Sequence, residues 1–275
     1  MPAPALRSAR AEMPLLAHLT ELRRRLLRSV IAVSLAACVA WYYYDQLFAV
    51  LRKPLDQAVT AAAQNGTQVT LSMTTMTDAF TLRLQVSVTA GVIAAAPYLL
   101  FHLWRFVTPG LHKHEKRWVV SFLGAATPLF ALGVAFAYKT LPQALVVLLG
   151  FTPDKVSNII PVPVYVSFLL RMLLVFGGGF VAPVFIVVLN LAGVLSAKAL
   201  FSKWRYIILG CALFGAVATP TGDPFNMALV AVPIIVIILG AGMVCWMNER
   251  LRRTRTTNQE SLADDEPSVL HPESQ

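Results

Sequence analysis

Long apolar runs alternate with short clusters of Arg, Lys and His along this chain. Six runs can carry spans: roughly 29–44, 80–100, 118–138, 164–189, 206–218 and 225–246. A helix in lipid needs about 20 mostly apolar residues, because no water is there to satisfy its backbone. The first run is a little short and the fifth clearly so. At about 1.5 Å per residue the fifth reaches roughly 20 Å, against a hydrocarbon core of about 30 Å.

Between and around the runs the pattern predicts organisation. Residues 1–13 read as a disordered arm, 14–247 as a six-helix membrane domain and 248–275 as a disordered tail, basic first and then polar and acidic. Leu15, Leu19, Leu22 and Leu26 recur at helical spacing, which predicts an amphipathic helix on the membrane surface before the first span. The long connections at 45–79 and 142–163 predict a partly helical outer cap, and Pro220, Gly222, Asp223 and Pro224 a tight turn. Pro97, Pro128 and Pro183 fall inside spans, with Gly177, Gly178 and Gly179 ahead of the last. Such residues kink helices in lipid and allow close approach.

Composition strengthens the membrane reading: 57% of residues are hydrophobic and 13% charged, for a mean hydropathy of +0.65. The expected class is an all-α polytopic membrane protein with six transmembrane helices. Seventeen of the 23 Lys and Arg residues fall on one side of the predicted spans, which puts both termini in the cytoplasm. The net charge of +9 is mostly this bias, with attraction to anionic membrane lipids, and needs no nucleic-acid partner. No cleavable signal peptide is expected; Trp41 to Tyr44 read as an interfacial aromatic belt. Cys38, Cys211 and Cys245 lie in apolar runs without CxxC spacing and read as packing residues.

Candidate chemistry is sparse. There is no GxxxxGK[ST], GxSxG or HExxH run, so neither an enzyme nor a cofactor is expected. His112 and His114 lack the Cys or carboxylate support of a metal site. Two carboxylates, Glu21 and Glu115, sit inside basic segments fringing the spans. A carboxylate pairs with guanidinium in a planar, bidentate geometry that Lys cannot copy. Two on one face could hold two adjacent arginines of a peptide. The plainer reading makes Glu21 an i,i+4 partner of Arg25 and Glu115 one solvated charge in a loop. Arg171, about two turns into the fourth span, is costly there unless it faces protein or water, or snorkels to the interface. Asp78 and Asp223 are its candidate partners.

His18-Leu19-Thr20-Glu21-Leu22-Arg23-x-Arg25-Leu26 resembles the segment preceding the first span of the TatC family, the receptor subunit of the twin-arginine translocase. Phe106-Val107-Thr108-Pro109-Gly110-Leu111-x-Lys113-His114-Glu115-Lys116-Arg117 resembles that family's first cytoplasmic loop, and Thr219-Pro220 with Asp223 its last outer turn. The resemblance covers 14–246. It implies a glove-shaped, six-span protein with short fifth and sixth spans in the inner membrane of a prokaryote. Such a protein binds Arg-Arg signal peptides of folded precursors and supports their export, driven by the proton-motive force. It implies single-span TatB-like and TatA-like partners, and a homo-oligomer within a hetero-oligomeric complex. Glu21 and Glu115 fall on the two signal-recognising carboxylates, and Arg23 and Phe106 on neighbouring positions. Pro54, Pro97 and Asp223 match positions linked to transport.

Two departures stand out. The family's fourth span carries Glu in a Phe-Glu-x-Pro pattern, where this chain has Phe180-Val181-Ala182-Pro183. Arg171 stands where a neutral residue is expected. The competing reading is a secondary transporter of a small solute or ion, which needs a polar lining near the midplane and finds few candidates for it, among them Gln85, Thr127, Arg171 and Asn190.

Overall fold

The computed structural model describes residues 15–64, 69–107, 115–151, 158–191, 193, 195–218 and 224–264. Side chains are placed at all of these except 15–19, 106–107, 115–119, 218, 226 and 252–264. In chain order the elements are α1 (Leu15–Tyr42), α2 (Tyr44–Gln64), β1 (Val69–Ser72), α3 (Asp78–Val107) and α4 (Glu115–Gly150). There follow β2 (Asn158–Pro161), α5 (Val162–Leu191), α6 (Ala197–Ser202), α7 (Trp204–Ala218) and α8 (Pro224–Asp264). Among the described residues five stretches are long and apolar enough to cross a membrane: Thr20–Tyr42, Asp78–Arg105, Val120–Gly150, Val162–Leu191 and Met227–Leu251. Trp204–Val217 is apolar but shorter.

Several expectations change. The amphipathic segment and the first span form one helix, because nothing between Leu15 and Tyr42 is Gly or Pro to break it. Apolar hydrogen-bonded backbone also carries α4 through Pro142 to Gly150, where a connection was expected. The fifth apolar run forms only the shorter helix, whereas the sixth, expected short, covers 25 residues. α8 runs on to Asp264, so helix occupies much of the expected disordered tail. That stretch has no Gly or Pro and carries four Arg, which lose little rotamer freedom in a helix. The all-α expectation omits a two-stranded sheet in which β1 pairs parallel with β2, Val69 opposite Asn158 and Ser72 opposite Pro161.

The chain divides into two compact units, Met1–Thr127 with Pro153–Leu170 and Pro128–Thr152 with Arg171–Gln275. In the first, α1 and α3 pack antiparallel. Arg83 Nη2 donates to the Trp41 carbonyl at 3.3 Å, and its guanidinium lies 4.9 Å from the Trp41 ring. Further along, Gly91 meets the α1 backbone at Val33 and Ala37. Small residues at such crossings let helix backbones approach in lipid, where van der Waals contact rather than water drives association. Trp104 stacks on Phe122 at 4.4 Å and both are buried. Pro54 lies within the continuous α2, where it lacks an amide donor, and near it the buried Tyr165 hydroxyl donates to the Leu51 carbonyl at 2.9 Å.

In the second unit Phe136, Phe176 and Phe180 cluster with centroids 5.5–6.2 Å apart. Glu249 of α8 ties down the connection after α5. Its Oε1 accepts from Asn190 Nδ2 and from the Ala197 amide, both at 2.6 Å, while Asn190 also donates to the Leu195 carbonyl at 2.7 Å. Truncation strands two donors, at about 1–3 kcal/mol for each group left unsatisfied. Glu249→Ala is therefore expected to lower the melting temperature of the detergent-solubilised protein. Glu249→Gln keeps an acceptor oxygen and should lower it less; equal losses would show that the acceptor contributes nothing.

Candidate functional site

Among the described residues, the end of α1 that carries its arginines has no acidic complement beyond Glu21. Arg23, Arg24 and Arg28 are exposed, and Arg25 is half-buried because its side chain turns back toward Glu21. Arg25 Nη2 donates to Glu21 Oε1, the i,i+4 pairing that helix geometry favours. Glu21 keeps a side-chain exposure of 38%, so the carboxylate stays reachable from outside. α3 comes down beside it in reverse. Its His102 and Arg105 line one cavity of about 540 Å³ with Glu21, Arg24, Arg25 and Arg28. His102 is 9% exposed, packs edge-on against Tyr98 at 4.4 Å, and lies in the field of Arg25, Arg28 and Arg105.

The antiparallel register brings the backbone at 106 level with Glu21, since Arg83 meets Trp41 and Gly91 meets Val33 and Ala37 higher up. Phe106 therefore stands in the last turn of α3 at the site's edge, though its side chain lies outside the described residues. Glu115 opens α4, where the helix dipole favours a carboxylate, but its side chain and the connection at 108–114 also lie outside them. Arg23 is exposed on α1.

The remaining expected positions scatter. Pro54 is buried within α2, and Pro97 is exposed within α3. Asp223 lies outside the described residues. Arg171 is exposed on α5 like Gly178 two turns on, and among the described residues no ion pair reaches it. Asp78, offered as its partner, is engaged elsewhere: its carboxylate accepts from the Thr74 and Thr75 amides at 2.7 and 2.9 Å, tying the turn before α3 to that helix's first residue. Val181 is buried, 3% exposed, where the departure from the family pattern falls.

A solute pathway finds little to work with. Gln85 accepts from Ser167 Oγ at 2.9 Å, and Asn190 is held in the Glu249 network. Among the described residues no group of three or more His, Cys, Asp or Glu is placed to hold a metal.

Sequence reasoning missed His102, Arg83 and Glu249. The first had a visible signal, a lone His three residues before Arg105 at the end of an apolar run. Glu249 stood at the head of a basic tail, much as Glu21 stands within one.

These features define a multi-pass membrane protein with a cluster of charged side chains at the ends of α1 and α3. Residues 17–233 match the family described as Sec-independent protein translocase protein (TatC). The chain is 40% identical over 253 residues to the TatC of Xylanimonas cellulosilytica, covering 92% of this chain and 90% of that one. It is 37% identical over 267 residues to the TatC of Frankia casuarinae, covering 94% and 73%. A crystal structure of the twin-arginine translocase receptor TatC superposes with a TM-score of 0.72 at 33% identity, over 83% of this chain and 99% of that one. A second, determined in the detergent DDM, gives 0.71 at 32% identity, over 82% and 98%. The chain belongs to the TatC family and is a multi-pass component of a bacterial Sec-independent, twin-arginine protein translocase.

Proposed function

We propose that this protein is the signal receptor of its translocase, binding the Arg-Arg pair of folded precursors' signal peptides through Glu21 and Glu115. The observation that carries the reading is the state of Glu21: a half-exposed carboxylate already accepting a guanidinium, with Arg25 holding the place an incoming arginine would take. Arg23 and Phe106 flank the contact. Both termini and this face are cytoplasmic by the charge bias of the connections, in the inner membrane.

Single-span TatB-like and TatA-like proteins complete the complex, which holds more than one copy of this chain, and the proton-motive force drives transport. α7 crosses as the fifth span despite its 15 residues, in a locally thinned bilayer. Pro54, Pro97 and Asp223 serve transport rather than recognition. Arg171 keeps its charge wet on an exposed face.

The test places photocrosslinkers at Leu22 and Phe106 and offers Arg-Arg and Lys-Lys signal peptides. Arg-Arg peptides should be labelled at both positions and Lys-Lys peptides weakly, since ammonium lacks the bidentate geometry. Equal labelling would remove the assigned specificity.

A further inference from the structure

We propose that the pocket between α1 and α3 binds the phosphate of an anionic phospholipid headgroup. Among the described residues four guanidinium groups line it, Arg24, Arg25, Arg28 and Arg105, against one carboxylate, Glu21, and that carboxylate pairs with Arg25. Three positive charges are left to face one cavity. Independently, His102 is nine-tenths buried in its wall, and both ring nitrogens lack hydrogen-bond partners among the described residues. Arg25 Nη1 is likewise buried and unpartnered.

Buried donors without acceptors are costly, and here they cluster in a positive field that would stabilise an acceptor. A phosphodiester supplies what is missing: one negative charge and two unesterified oxygens. Arginine meets phosphate in the fork geometry it uses for carboxylates. One oxygen can take the free Nη1 and the other the imidazole N–H.

Position selects a lipid over a soluble ion. The pocket lies at the end of two membrane-crossing helices, and Leu26, Leu27 and Leu103 are exposed beside it at 62%, 60% and 45%. A ligand with a charged head and apolar tails satisfies both surfaces. Basic pockets between transmembrane helices are general sites for such headgroups. The inference stands apart from signal recognition, because lipid retention is read with no peptide present.

The test is native mass spectrometry of the full-length protein, offered phosphatidylglycerol or phosphatidylcholine with identical acyl chains. Wild type should retain phosphatidylglycerol selectively. Arg28→Gln and Arg105→Gln should each cut that retention about fivefold, and His102→Leu should also lower it. Glu21→Gln removes the opposing charge and should raise retention, which keeps the proposal testable if an arginine variant fails to fold. Lys198→Gln with Lys203→Gln, in the other unit, is the control and should change nothing. Equal retention of the two lipids, or equal loss in that control, overturns the proposal. So does inorganic phosphate bound at these residues with no lipid preference, which would assign the pocket to a free ion.

Discussion

Glu21→Ala is expected to abolish photocrosslinking of an Arg-Arg signal peptide while the protein still accumulates in the membrane. Glu115→Ala should do the same. Removing one member of a desolvated, hydrogen-bonded charge pair costs about 2–5 kcal/mol, which is roughly thirtyfold to several thousandfold in affinity. Folding should survive, because an i,i+4 ion pair at a helix surface contributes only a few tenths of a kcal/mol. Glu21→Gln separates charge from shape: it keeps an acceptor but loses the bidentate anion, and binding should still collapse. Arg25→Gln separates the local pair from the receptor role. If Glu21 matters only through Arg25, both variants lose signal binding equally; if it receives the signal, Arg25→Gln retains labelling that Glu21→Ala lacks. Unchanged labelling in Glu21→Ala, with export of a folded reporter intact, would refute the assignment.

What could be read from sequence divides by range. Apolar runs punctuated by arginines announce the spans because lipid imposes one local rule on every crossing segment. Glu21 was legible for the same reason, as a carboxylate in a positive stretch where charge pairing is local. Helix ends were less so: Pro142 reads as a break, yet α4 continues through it, since apolar residues on both sides keep helical bonds that one missing amide does not outweigh. The β1–β2 pairing was invisible. Two four-residue strands separated by two long apolar helices carry no periodicity that names their partner. The basic pocket needed the α1–α3 register, which no run of residues states.

That register also decides the second large effect. Gly91→Leu is expected to deplete folded protein from the membrane and to lower the melting temperature of what remains. A Cβ at Gly91 would lie 2.7 Å from the Ala37 nitrogen and 2.9 Å from the Ala37 Cα and the Val33 oxygen. All three are backbone atoms, so no side chain can rotate away and α1 must shift as a rod. Overpacking typically costs about 1–3 kcal/mol, and a clash against backbone belongs at or beyond the upper end. Damage should reach the site as well. Gly91 stands about 16 Å along α3 from His102 at 1.5 Å per residue, and moving α1 displaces Glu21 and Arg25 from His102 and Arg105 together. Signal crosslinking and lipid retention should therefore fall in parallel. Gly124→Leu and Gly178→Leu supply the contrast, because a Cβ at either meets nothing within 4 Å. Those two variants should accumulate and melt like wild type. If Gly91→Leu does too, the two backbones do not approach there, and the register that builds the pocket goes with them.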